Sequence, residues 1–188
     1  MDQISDPAQA SMEVYAMEAG NPKEERMQSR IDSQKVAPGA FRAMLALSNY
    51  VRNSSGLEPS LLELVRMRAS QINGCAVCLD MHSKDARAAG ETEQRLYALN
   101  AWQETPFFTD RERAALTWTE AITLITSGHA SDEVYEQVRQ SFSEEELVNL
   151  TLAIVAINGW NRLNVGFRAV PGNYQPAKDQ PVATAKSR

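Results

Sequence analysis

The chain has 188 residues, 43% of them hydrophobic and 23% charged, which is the make-up of one ordinary globular domain with a single core. Its 19 Lys and Arg against 24 Asp and Glu leave a net charge of −5 with no dense basic block, so the footprint of a nucleic-acid binder is missing. No apolar run reaches the roughly 18 to 20 residues of a membrane-spanning helix. The acidic, polar start Met1-Asp2-Gln3 also lacks the basic, then apolar, opening of a secretory signal, so the expectation is a cytoplasmic protein with neither nucleic-acid nor membrane partners.

Residues 1–34 are polar, with scattered Met12, Tyr15, Met17 and Met27 and no sustained period, and read as an arm that is partly helical at most. From there apolar residues recur at helical spacing and strand-type alternation is nearly absent. The spacing predicts helices over 37–52, 60–73, 76–89, 91–103, 110–126, 131–140 and 144–165. Starts are marked by the capping patterns Ser60-x-x-Glu63, Thr109-x-x-Glu112 and Ser143-x-x-Glu146. Stops are marked by Gly56, Gly74, Gly90, Gly128 and Pro171. An all-α bundle over 35–172 follows. The last helix is apolar on more than one face, as expected of a core element or a subunit contact. Asn161 and Arg162 inside it need polar partners, which a neighbouring subunit could supply. Trp102, Trp118, Trp160, Phe107 and Phe108 read as core anchors. Residues 173–188 have no period and read as a flexible tail.

The chain has two cysteines, in Cys75-Ala76-Val77-Cys78. A loop this short constrains little of the unfolded chain, so the pair is there for chemistry rather than for stapling. Both thiols fall in the first turn of the predicted 76–89 helix, where unpaired N–H groups and the helix dipole favour the thiolate. Their spacing also suits a reversible disulfide. His82 lies one turn beyond Cys78 on the same face and is the side chain suited to take its proton, directly or through a water. A thioredoxin fold would need strands around the pair. Haem attachment would need histidine where Leu79 stands.

Glu63, twelve residues before Cys75, completes a pattern with Cys75, Cys78 and His82. With it the chain resembles the alkylhydroperoxidase D-like (carboxymuconolactone decarboxylase) family in its two-cysteine, peroxidase-related branch. The segments Ser83 to Glu91, Thr109 to Thr123 and Asn158 to Arg168 are similar to it as well. The resemblance implies an oligomeric helical bundle, a trimer or a hexamer of dimers. It also implies a redox pair Cys75/Cys78, a proton relay through His82, and Glu63 as the acidic member of that relay. The function it implies is thiol-dependent reduction of hydroperoxides without a cofactor, the disulfide being reduced by an external dithiol of lipoyl or thioredoxin type. Val77 stands where well-known members carry a second histidine, so any role of that histidine is absent here.

Competing readings attach to the same residues. Cys75, Cys78 and His82 could hold zinc, completed by His129 or Asp80, although a structural site usually draws on a second cysteine pair and there is none. The pair could also be buried and inert. Glu63 could be a capping-box residue, or an exposed partner of Arg66 or Arg68. His129 sits in a predicted turn and receives no role. The alternative functions are a non-enzymatic redox switch and a lactone decarboxylase, the activity of the branch that lacks the two cysteines.

Overall fold

Two helix starts carry the reciprocal hydrogen bonds that the sequence spells out. The Thr109 and Ser143 side chains accept from the backbone N–H of Glu112 and Glu146, whose carboxylates accept from the backbone N–H of Thr109 and Ser143. The structure, a computed structural model, describes residues 28–176. In chain order its helices are α1 Ser33–Val36, α2 Pro38–Ser54, α3 Pro59–Asn73, α4 Ala76–Ala88, α5 Glu93–Ala98, a 3-10 turn Leu99–Glu104, α6 Asp110–Thr123, α7 Ile125–Gly128, α8 Asp132–Val138 and α9 Glu144–Gly166. Among the described residues there is no strand, and no helix is long and apolar enough to cross a membrane.

Helix α3 lies at the centre, packed against α4, α6 and α9. Its Leu61, Leu62 and Val65 meet Ala114, Ala115 and Trp118 of α6 and Leu150, Ala153 and Ile154 of α9 in the main core. A second cluster joins Leu64 and Met67 to Leu96, Leu99, Trp102 and Phe108. Trp102, Trp118 and Phe108 are thus buried anchors, as expected. Trp160 is half-buried, edge-on to Phe41 at 5.1 Å with its N–H on Ser48. Helix α9 is apolar on more than one face: Leu147, Leu150, Ile154 and Ile157 are buried, while Val148 and Val155 are 60% and 49% exposed.

Three local expectations are corrected. The 91–103 helix breaks after Ala98, where the chain tightens into the 3-10 turn and Ala101 leaves helical geometry at φ −117°, ψ 33°. The 110–126 helix ends at Thr123, Leu124 turning the chain into the one-turn α7. The Ser60 capping box does not form, because Pro59, whose fixed φ suits the first helical turn, starts α3 a residue earlier behind Glu58. Glu63 is thereby free of any capping duty.

Chain on both sides of the 35–172 span is tied to it. Ser29 and Arg30 donate to the carbonyls of Phe167 and Gly166, and Tyr174 is bonded to α4. The rest of the expected arm and tail lies outside the described residues.

Candidate active site

The approach to the cysteines is set by a helix stop. Gly74 adopts the left-handed conformation at φ 65°, and the N–H groups of Gly74 and Cys75 return to the carbonyls of Gln71 and Ser70, the paired closure of a Schellman turn. The reversal places Cys75 as the N-cap of α4, its Sγ accepting from the Cys78 N–H at 3.4 Å. The two residues form a disulfide with Cα atoms 5.4 Å apart, so the pair closes within one helical turn as its spacing predicts. Both are buried, Cys75 at 1% and Cys78 at 0% exposure. On the far side of Cys78, the Asn164 side-chain amide of α9 donates to its Sγ at 3.3 Å.

His82 is also buried, and its Nδ1 is 2.8 Å from Glu63 Oε2. The other Glu63 oxygen pairs with the buried Arg66 at 2.5 Å. Burial on its own would raise the Glu63 carboxyl. The hydrogen bond and charge of His82, with those of Arg66, outweigh it and hold the group below the ordinary carboxylate range. An ionised Glu63 can only accept, so Nδ1 of His82 carries the proton and donates, leaving Nε2 to accept one. The expected meeting of Glu63 and His82 is present, and Glu63 is not on an exposed face: Arg68 turns instead to Glu120 at 2.8 Å.

One turn beyond His82, Asp85 brings a third acidic or imidazole atom within 4.8 Å of the other two. It accepts from the Tyr174 phenol at 2.6 Å. Burial, followed by the Asp85 hydrogen bond and charge, pushes the Tyr174 hydroxyl up to about 12, so it stays a donor. Lys84 Nζ donates to the Tyr174 carbonyl, and the Gly172 N–H donates to Asp80, which also pairs with Lys84 at 2.8 Å. Residues 172–174 thus strap α4 beside the Glu63–His82 pair.

The zinc set considered above is not assembled. Among the described residues the potential ligands that converge are Glu63, His82 and Asp85, without the cysteines, and their oxygens already serve Arg66, His82 and Tyr174. Asp80 is engaged by Lys84 and Gly172, and His129 is exposed at the left-handed end of α7.

Asn158, Asn161 and Arg162 of α9 have partners within the chain. The Asn161 amide donates to Ser70 and accepts from Asn73. Asn158 also accepts from Asn73 and donates to Thr123, and Arg162 caps the Asn158 carbonyl. These bonds lock α9, and so Asn164, onto the helix that ends at the cysteine turn. Asn164, Asp85 and Tyr174 had not been read as site residues from the sequence.

A helical bundle with a Cys-x-x-Cys pair on a helix start and a glutamate–histidine pair behind it defines an AhpD-like protein. The chain belongs to the carboxymuconolactone decarboxylase family, whose model matches residues 38–121. It is 45% identical over 141 residues to the uncharacterized protein YdfG of Bacillus subtilis, spanning 75% of this chain and 95% of that one. The crystal structure of ATU0492 from Agrobacterium tumefaciens, described as of unknown function and linked by its description to antioxidant defence and AhpD, superposes with a TM-score of 0.74. Its sequence is 47% identical, and the match covers 80% of this chain and 99% of that one. An alkyl hydroperoxide reductase AhpD from Bradyrhizobium diazoefficiens is 32% identical over 83 residues, 44% of this chain and 40% of that protein.

Proposed function

We propose that the protein reduces hydroperoxides at the expense of an external dithiol, cycling Cys75 and Cys78 between dithiol and disulfide. The observation that carries this reading is the buried Glu63–His82 hydrogen bond on the helix that opens with a closable Cys75–Cys78 couple, His82 following Cys78 by one turn. Kinship with an AhpD alkyl hydroperoxide reductase supports it.

In the reduced protein His82 Nε2 takes the thiol proton of Cys78, directly or through a water. The thiolate attacks the O–O bond of the hydroperoxide. Cys78 becomes a sulfenic acid, and the departing alkoxide takes up the proton to leave as an alcohol. Cys75 condenses with the sulfenic acid, forming the S–S bond and releasing water. Two electrons from the external dithiol, of lipoyl or thioredoxin type, reopen the pair. Cys78 is assigned the attack because His82 follows it on the same helix face and Asn164 supplies its Sγ with a donor. The protein works as a homo-oligomer in this reading, and the exposed Val148 and Val155 on α9 offer an apolar line for the contact.

The test is consumption of cumene hydroperoxide with excess dithiothreitol after chelation of metal. Turnover abolished by Cys75→Ser and by Cys78→Ser, and reduced by His82→Ala, is expected. A single oxidation without turnover would leave a redox switch, and loss of stoichiometric zinc on chelation would make the cysteines a metal site. Sedimentation of the wild type should give a mass above that of one chain.

A further inference from the structure

The two sulfurs differ in how a reductant can reach them. Cys75 lines a cleft of about 140 Å3, with Gly74, Ala76 and Val77 on one side and Asn164, Val165 and Arg168 on the other. Cys78 does not line it and has no exposed surface. Its Sγ instead faces the Asn164 Nδ2 donor at 3.3 Å. The backbone of Asn164 is held independently of that contact, its main-chain carbonyl accepting from the Ala169 N–H at 2.9 Å at the end of α9.

We propose that a reducing thiol enters this cleft and attacks Cys75, and that the Asn164 amide receives Cys78 as the departing thiolate. The inference rests on the dithiol cycle proposed above and names the direction of its reductive half. The reductant's thiolate, having lost its proton to solvent, forms a bond to Cys75 Sγ. The Sγ–Sγ bond breaks and its electron pair passes to Cys78 Sγ, where the new charge meets the Asn164 N–H. The second thiol of the reductant then attacks its own sulfur in the mixed disulfide, so Cys75 leaves with the electron pair and takes a proton from solvent. The reductant departs as a disulfide, two electrons poorer.

Access decides the direction more than leaving-group stabilisation does. Cys75 has a donor of its own in the Cys78 N–H, so both sulfurs could carry charge, and it is Cys75 that lines this cleft. The donor on Cys78 contributes to rate, because thiol exchange speeds up as the departing thiolate is stabilised. It also leaves Cys78 as the thiolate that the next hydroperoxide needs.

The test uses no peroxide. Wild-type protein oxidised with diamide is mixed briefly with 2-mercaptoethanol, quenched in acid, alkylated with N-ethylmaleimide and cut with trypsin. The peptide 69–84 then carries both cysteines for fragment sequencing. Mercaptoethanol on Cys75 and maleimide on Cys78 is the expected pattern, and the reverse would overturn the proposal without any variant having to fold. Asn164→Ala and Asn164→Asp should slow reduction by dithiothreitol roughly tenfold at neutral pH and move the Cys78 thiol titration, read at 240 nm, to higher pH. Unchanged rates and titration would remove Asn164 from the step. A protein that exchanges in this order yet does not turn over hydroperoxide would sink the peroxidase reading and leave this one standing.

Discussion

Glu63 and His82 stand nineteen residues apart on successive helices and meet with Oε2 and Nδ1 at 2.8 Å in a buried site. The contact depends on the helix reversal at Gly74, which folds α4 back along α3 so that the histidine one turn after Cys78 meets the carboxylate. Against its burial, His82 and then Arg66 on the second carboxylate oxygen keep the glutamate ionised and therefore an acceptor. The imidazole is left with one defined nitrogen for proton uptake.

Replacing Glu63 by Gln keeps the shape and removes the charge. The amide can donate its N–H to Nδ1 of His82 and so leave the proton on Nε2, the nitrogen meant to accept it. Peroxide turnover should fall by roughly 10²-fold, the lower end of what positioned acid–base groups contribute. Steady-state kinetics with cumene hydroperoxide will show it as a loss in kcat with KM little changed. Full activity in Glu63→Gln would remove the glutamate from the relay.

The same carboxylate makes stability pH-dependent. Its folded pKa lies below the unfolded value, so its contribution is fully present above the ordinary glutamate range and is lost as pH falls through the folded value. Urea unfolding of wild type and Glu63→Gln at a series of pH values from 7 down to 3 should show a stability gap that narrows on acidification. A gap that stays constant would mean that the charge of Glu63 is not what the fold uses.

Tyr174 shifts in the opposite direction. With its hydroxyl raised to about 12 by burial and by Asp85, the folded state favours the neutral phenol. That contribution is complete below pH 10, the unfolded value, and is lost as pH climbs toward 12. Absorbance at 295 nm should show one of the five tyrosines of the chain ionising late, and Tyr174→Phe should delete that late step alone. If the variant's curve keeps the late step, the strap over α4 does not hold Tyr174 against Asp85.

What the sequence made legible was what is local. The Thr109 and Ser143 capping boxes, the Gly74 stop and the Cys78–His82 register each span a turn or less, so spacing alone carries them. The pairing of Glu63 with His82 crosses a helix reversal, and its expectation came from resemblance, not spacing. Asn164 and Tyr174 reach the site from elements 86 and 89 positions along the chain from their partners, and a polar residue on a helix face gives no periodic signal of the contact it will make. Ser60 shows the opposite failure. Its capping pattern was complete, yet Pro59 was the better start and the helix began without it.

Gly74 ties the fold to the chemistry. Its φ of 65° lies where a side chain is strained, yet a Cβ built there would meet nothing within 4 Å. Gly74→Ala should therefore carry a backbone cost alone, about 1 kcal/mol of unfolding free energy, and Gly74→Asn less, because asparagine tolerates the left-handed region. Urea denaturation of the oxidised proteins measures this directly. The turn also sets Cys75 as the N-cap of α4, so the strain should appear a second time as slower closing of the disulfide in the alanine variant, timed by thiol loss after a pulse of diamide. A stable Gly74→Ala that closes its disulfide at the wild-type rate would show that the cysteine turn forms without a left-handed residue, contrary to the geometry that holds Cys75 beside Cys78.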